Sequence, residues 1–200
     1  VRIVPTTIDT DEYRRLPRPA DLRPDQVCIG WSGSFTTIEH FEEAVPALHI
    51  IKQLYGDRVV FRVVGDGSYR NPELGIVGLP WRKDTEVADL SAMDIGIMPL
   101  PDTEWAKGKC GLKGLQYMAV GTPTIMAPVG VNVDIIDHGR NGLLASTTDE
   151  WVAALRQLID DEAARRRIGE AGRQTVLDHY SVRSERDHYL QLFEEVLGKK

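Results

Sequence analysis

Two cysteines in 200 residues are too few for a disulfide framework, and Cys28 falls inside an apolar run, so both are expected as free thiols. That usage points to a reducing compartment, the cytoplasm, with any membrane association left to a part of the protein outside this chain. No uninterrupted apolar stretch reaches spanning length and no signal-peptide pattern is present, so no transmembrane segment is expected. Excess positive charge is also missing: a net charge of −6 argues against a nucleic-acid or membrane-surface binder. The histidines, at 40, 49, 138, 179 and 188, lack metal-ligand spacing, and neither a metal nor a cofactor is expected. After the first apolar run, residues 30–35 hold only Gly30 and Gly33, without the third glycine of a dinucleotide fingerprint. The chain begins with Val1 rather than Met, which points to a piece of a longer polypeptide.

What is present is the apolar and charged content of an ordinary globular domain, 42% and 27%. Residues 1–26 hold Pro5, Pro17, Pro19 and Pro24 among charged residues and read as an interdomain linker rather than a core element. The run Val27–Trp31 reads as a strand, leading through Ser32, Gly33 and Ser34 into a helix that extends to about Leu54, opened by a capping box of Thr36 and Glu39. Further strands are expected at 58–64, 74–77, 94–100, 122–126 and 143–145. Helices are expected at 84–92, 111–120, 133–138, 149–175 and 182–197, the last with Tyr189, Leu192, Phe193 and Val196 as its inner face. Apolar runs without in/out alternation, separated by helices, specify an α/β fold over residues 27–180: a doubly wound, Rossmann-like parallel sheet covered on both faces. Ligands of such a sheet sit at the carboxyl ends of its strands, where the turns 32–36, 65–67, 78–81 and 99–111 fall.

Residues 107–128, KGKCGLKGLQYMAVGTPTIMAP, concentrate the chemistry. Lys109, Lys113 and Gln116 fall at i, i+4 and i+7, one helical stripe, with both lysines at or just before the helix N-terminus. A helix start built for stability alone would carry Asp or Glu there. A docked anion accounts for the lysines, and Gly108, Gly111 and Gly114 remove side chains that would keep it from the backbone. The competing reading is a pair of solvated lysines on an exposed face. The turn at Gly33 and Ser34 can cradle a phosphate, though Gly-Ser pairs are also ordinary turn formers, and Gly65 permits positive φ beside a cavity mouth.

The order and spacing of IVPTTIDTDEY at 3–13, IGWSGS at 29–34, VVGDG at 63–67, DIGIMPL at 94–100, GKCGLKGLQYMAVGTPTI at 108–125 and APVGVN at 127–132 resemble one known family. The chain looks like the C-terminal, donor-binding half of a family 4 (group 1) glycosyltransferase of the GT-B fold. The resemblance implies transfer of a sugar from a nucleotide-sugar with retention, without a required metal, to an acceptor held by an N-terminal domain missing from this chain. The isolated chain is then expected to be inactive, and residues 181–200 to form a helix packing back toward that domain. The resemblance also implies backbone N–H contacts from Cys110, Gly111 and Leu112 to the diphosphate or sugar. Gln116 stands in place of a glutamate that binds the ribose hydroxyls, and Leu79 would offer backbone groups to the base, with Trp81 nearby.

Two departures from the family pattern matter. Gly108 occupies the usual place of a sugar-binding glutamate, and Ser34, Thr36 and Thr37 follow Gly33 where relatives carry an Arg and a Lys on the diphosphate. Lys109 and Lys113 are therefore expected to supply the catalytic positive charge, stabilising the leaving diphosphate as its charge grows. Gly33, Ser34, Gly65, Leu79, Trp81, Cys110, Gly111, Leu112 and Gln116 complete the expected donor site. The alternative is a module that binds a nucleotide or sugar phosphate and transfers nothing.

Overall fold

A computed structural model describes residues 4–20 and 22–198. Its strands are β1 (Val27–Ser32), β2 (Val59–Gly65), β3 (Arg70–Asn71), β4 (Ile76–Val77), β5 (Leu79–Pro80), β6 (Ile95–Met98), β7 (Thr124–Met126) and β8 (Leu143–Leu144). Its helices are α1 (Ile38–Glu42), α2 (Val45–Tyr55), α3 (Glu86–Ser91), α4 (Glu104–Lys107), α5 (Leu112–Ala119), α6 (Asn132–Ile135), α7 (Thr148–Asp160), α8 (Glu162–His179) and α9 (Val182–Val196). Six strands form one sheet in the order β5-β2-β1-β6-β7-β8, with every neighbouring pair parallel. Counted along the chain within that sheet the order is 3-2-1-4-5-6, so the winding reverses between β1 and β6.

Every residue of β1, β6 and β7 is buried, which a strand achieves only when both faces of its sheet are covered. The cover comes from α2 packed with α7, and from α3 and α8 packed on α5. The apolar runs of the sequence therefore mark the sheet as expected, with four local corrections.

The strand expected at 74–77 shrinks to β4, which pairs antiparallel with β3 outside the main sheet. Pro72 and Gly75 turn the chain there, the Gly75 N–H donating to the Pro72 carbonyl at 3.1 Å with φ +70°. The single helix expected up to Leu54 is a 3₁₀ turn, α1 and α2, because Pro46 at the start of α2 has no amide N–H to continue the preceding helix. Its opening turn is closed by Ser34 and Thr37 rather than Thr36 and Glu39, the Ser34 N–H donating to Thr37 Oγ1 at 3.0 Å. The helix expected at 149–175 breaks at Asp161, whose Oδ1 accepts from the Ala164 N–H at 2.9 Å and starts α8.

The remaining differences concern the ends. The leading segment is not a bare linker, for Ile8 and Tyr13 belong to the core at 3% and 7% exposure. Ile8 is held between α8 and α9, its N–H donating to the Tyr180 carbonyl and its carbonyl accepting from the Val182 N–H. Farther on, Arg18 pairs with Asp94 at 2.6 Å, and the same Asp94 accepts from the Cys28 N–H at 2.8 Å. The face expected to be inner on α9 is covered only in part: Tyr189 and Leu192 are half-buried, the Tyr189 hydroxyl donating to the Pro5 carbonyl at 2.7 Å, while Phe193 and Val196 are 61% and 85% exposed. No described helix is long and apolar enough to cross a membrane.

The helix α5 seats against the sheet through glycines. A Cβ on Gly96 of β6 would lie 2.6 Å from the ring of Tyr117, a fully buried residue of α5 whose hydroxyl accepts from the Ser32 N–H at 2.6 Å. Gly96→Ala is therefore expected to destabilise the fold by about 1–3 kcal/mol, as overpacked cores do. The measurement is the urea midpoint; an unchanged midpoint would mean that the ring has room to move.

Candidate functional site at the carboxyl end of the sheet

Where the winding reverses, the connections leaving β1 and β6 depart in opposite senses and open a crevice beyond the strand ends. A cavity of about 450 Å³ occupies it. Its lining is the end of β1 with the following turn (Trp31, Ser32, Gly33, Ser34), Met98 at the end of β6 with Pro99 and Leu100 after it, and the loop 108–111 running into Leu112 and Lys113 of α5. Thr37, His40 and Trp81 complete the walls.

Among the residues singled out from the sequence, Gly33, Ser34, Trp81, Lys109, Cys110, Gly111, Leu112 and Lys113 line this cavity. Gly65, Leu79 and Gln116 are not in its lining. Gly65 instead backs the first turn: at φ +142°, a Cβ there would sit 2.4 Å from the Gly33 carbonyl oxygen. Leu79 pairs with Val64 in the sheet, and Cys28 and Cys110 are both free, the first buried and the second exposed.

The start of α5 is built to leave donors open. Gly111 is its N-cap at φ +71°, a conformation natural to glycine, and it provides no side chain to cap the helix. The first main-chain bond of the helix runs from the Leu115 N–H to the Gly111 carbonyl, so the N–H groups of Leu112, Lys113 and Gly114 precede any helical acceptor. Together with the macrodipole, such a terminus receives anions.

The two lysines differ in a way that their spacing did not show. Lys109 lies ahead of the helix rather than on its stripe, its N–H donating to the Ala106 carbonyl, and its Nζ stands 5.6 Å from the centroid of the exposed Trp105 ring. It forms no ion pair among the described residues. Lys113 is paired: its Nζ lies 3.3 Å from Glu86 Oε1 and donates to Gln116 Oε1 at 2.9 Å. Only Lys113 and Gln116 keep the expected stripe, and it points into a buried polar cluster.

Glu86, on α3, is the centre of that cluster and was not anticipated as a site residue. It is 4% exposed. Its Oε2 accepts from the Tyr13 hydroxyl at 2.6 Å, and its Oε1 from Trp81 Nε1 at 2.9 Å and Gln116 Nε2 at 3.2 Å, besides Lys113. Burial alone would push its carboxyl up, but the hydrogen bonds from Tyr13 and Trp81 and the charge of Lys113 outweigh burial and hold it below the usual range. The sequence did carry a signal: at helical spacing Glu86 shares the face of Leu90, the buried side of α3, and of Met93 just beyond it. Gln116 is committed inside the same cluster, its Nε2 also donating to the Tyr13 hydroxyl at 2.7 Å.

His40 is the second unanticipated residue. It lines the cavity at 6% exposure, and burial, helped by the nearby charge of Lys109 and opposed by Glu39 and Glu43, lowers its pKa below the ordinary histidine value.

The site thus offers an ammonium without an ion pair among the described residues, open helix-terminal N–H groups, an indole and an imidazole whose pKa is lowered, around a crevice of nucleotide size. Proteins of known identity share the architecture. The C-terminal domain of a glycosyl transferase group 1 family protein from Francisella tularensis superposes with a TM-score of 0.67 at 21% identity, over 88% of this chain and 99% of that one. Anabaena HepE in complex with UDP-glucose gives a TM-score of 0.73 at 15% identity, over 94% of this chain and 56% of that one. In sequence, the N-acetyl-alpha-D-glucosaminyl L-malate synthase of Bacillus anthracis is 32% identical over 117 residues, 58% of this chain and 30% of that protein. The chain spans about half or less of the length of the curated relatives it matches. A family model described as glycosyl transferases group 1 matches residues 26–161, well over half of the chain. By that match, and on a fold shared with a group 1 C-terminal domain, the chain belongs to the glycosyl transferases group 1 family.

Proposed function

We propose that the cavity binds a nucleotide-sugar and that this chain is the donor-binding domain of a retaining glycosyltransferase that needs no metal. The diphosphate lies against the first turn of α5 and Lys109, and the acceptor is held by an N-terminal domain outside this chain. The observation that carries this reading is the uncapped N-terminus of α5 opening on the cavity beside a lysine with no carboxylate partner among the described residues. As the bond between sugar and phosphate breaks, negative charge grows on the leaving diphosphate, and fixed N–H groups and an ammonium stabilise it most at that moment. Trp81, pinned at its nitrogen by Glu86, presents its 45%-exposed indole as a platform for the base. Titration calorimetry of this chain with UDP and with GDP tests the reading; no binding of either nucleotide overturns it.

Gly108 favours a second reading, a binding module without transfer, because no carboxylate among the described residues lines the cavity. Release of nucleoside diphosphate from a panel of nucleotide-sugars by the full-length natural protein separates the two: binding without turnover supports the module.

His40 supplies a pH signature. Burial and the charge of Lys109, opposed by Glu39 and Glu43, hold its pKa below the ordinary histidine value, and a diphosphate placed beside it favours the imidazolium. UDP binding by the wild type is then expected to take up a proton that His40→Gln does not, measured as the dependence of binding heat on buffer ionisation enthalpy. Equal proton uptake by the two proteins would place the phosphates away from His40.

A further inference from the structure

Among the described residues, one buried hydroxyl of the cavity has no hydrogen-bond partner. Ser32, the last residue of β1, is 1% exposed and lines the cavity, and its Oγ is the buried side-chain polar atom without a hydrogen-bond partner among the described residues. Its N–H is already committed to the Tyr117 hydroxyl, so the fold uses the backbone of Ser32 and leaves the side chain idle. An unpaired buried hydroxyl weakens a fold, and alanine would suit this strand position better. Such a residue makes sense where a ligand supplies the missing partner.

The surroundings indicate which part of a ligand that is. Met98, at the end of the neighbouring strand β6, and Leu100 beyond it are apolar lining residues at most 8% exposed. The ammonium of Lys109 and the free N–H groups of α5 come from a different segment, the loop 108–111 and the helix start. A neutral hydroxyl among apolar side chains matches a ring that carries hydroxyls and C–H faces, whereas a phosphate would be left without countercharge there. We propose that Ser32 is a sugar-selecting residue: its Oγ bonds a hydroxyl of the hexose carried by the nucleoside diphosphate, and Met98 and Leu100 take the C–H faces of the ring. This assignment rests on the donor reading of the cavity.

The test compares Ser32→Ala with wild type in two measurements on the same chain. The melting temperature of the variant is expected to equal or exceed that of wild type; a clear drop would mark the hydroxyl as structural and overturn the assignment. Calorimetry with UDP, UDP-glucose, GDP and GDP-mannose then reads the subsite. The expected result is an unchanged affinity for the bare nucleotides and an affinity for at least one nucleotide-sugar lower by about tenfold, the size of one lost hydrogen bond with its partner stranded. An equal loss for nucleotide and nucleotide-sugar, or no loss for any of them, overturns the sugar subsite while leaving the donor cavity in place. Failure of wild type to bind any of the four overturns the donor cavity, and the sugar subsite falls with it.

Discussion

Glu86→Ala is expected to lower the unfolding free energy by about 2–4 kcal/mol, because one truncation takes away the carboxylate that four donors share and leaves the Tyr13 hydroxyl and Trp81 Nε1 without their acceptor. Tyr13, Trp81, Gln116 and Lys113 come from the leading segment, the residue after β5, and α5, and all four converge on this carboxylate. Glu86→Gln keeps the shape and one acceptor oxygen and is expected to cost less. The pH dependence separates charge from shape. The folded pKa of Glu86 lies below its ordinary 4.5, so the stability it contributes is present above that pH and is lost as the pH falls through the folded value. The gap between wild type and Glu86→Gln in urea unfolding should therefore narrow on acidification below about pH 4.5. A gap that stays constant to pH 3 would show that the carboxylate charge contributes nothing to the fold.

Lys109→Ala is expected to reduce the affinity for UDP or GDP by roughly 10- to 100-fold, the range for losing a charged hydrogen bond of about 1.5–3 kcal/mol. Its melting temperature should be unchanged, since Lys109 has no ion pair in the described structure and loses only a stacking contact with the exposed Trp105. Lys113→Ala is expected to behave differently. It removes the cation 3.3 Å from a buried carboxylate whose side chain is 5% exposed, so it should cost stability as well as affinity. Pairing it with Glu86→Gln removes the orphaned charge, and the double variant should be more stable than the sum of the single effects allows. Calorimetry and thermal unfolding on the four proteins of this cycle and on Lys109→Ala check the distinction. Equal losses of affinity and equal melting temperatures for Lys109→Ala and Lys113→Ala would erase it.

That contrast marks the limit of what spacing reveals. Two lysines four residues apart read as equivalent partners of one anion, because sequence separation reports only which face of a helix a residue would occupy if the helix reached it. α5 begins at Leu112, so Lys109 escapes the stripe, and Glu86, distant in sequence, neutralises Lys113. Gln116 was legible as a polar residue on the same face, but its partners Tyr13 and Glu86 come from segments whose approach no local pattern encodes. The apolar face of α9 shows the reverse failure: periodicity describes a face correctly and is silent on whether anything in the chain covers it.

By itself the sequence determined the class of the fold and which turns fall at the carboxyl ends of its strands. Continuous apolar runs can be buried only in a sheet covered on both sides, and the glycine-rich, lysine-bearing start of α5 had to fall at the carboxyl end of that sheet, because a parallel crossover leaves no other place for it. Only the tertiary structure decided which charges are spent and which remain. The buried contact between Glu86 and Lys113, and the unpartnered hydroxyl of Ser32, arise from segments brought together by packing, and electrostatics at a few ångströms depends on that approach rather than on the order of residues along the chain.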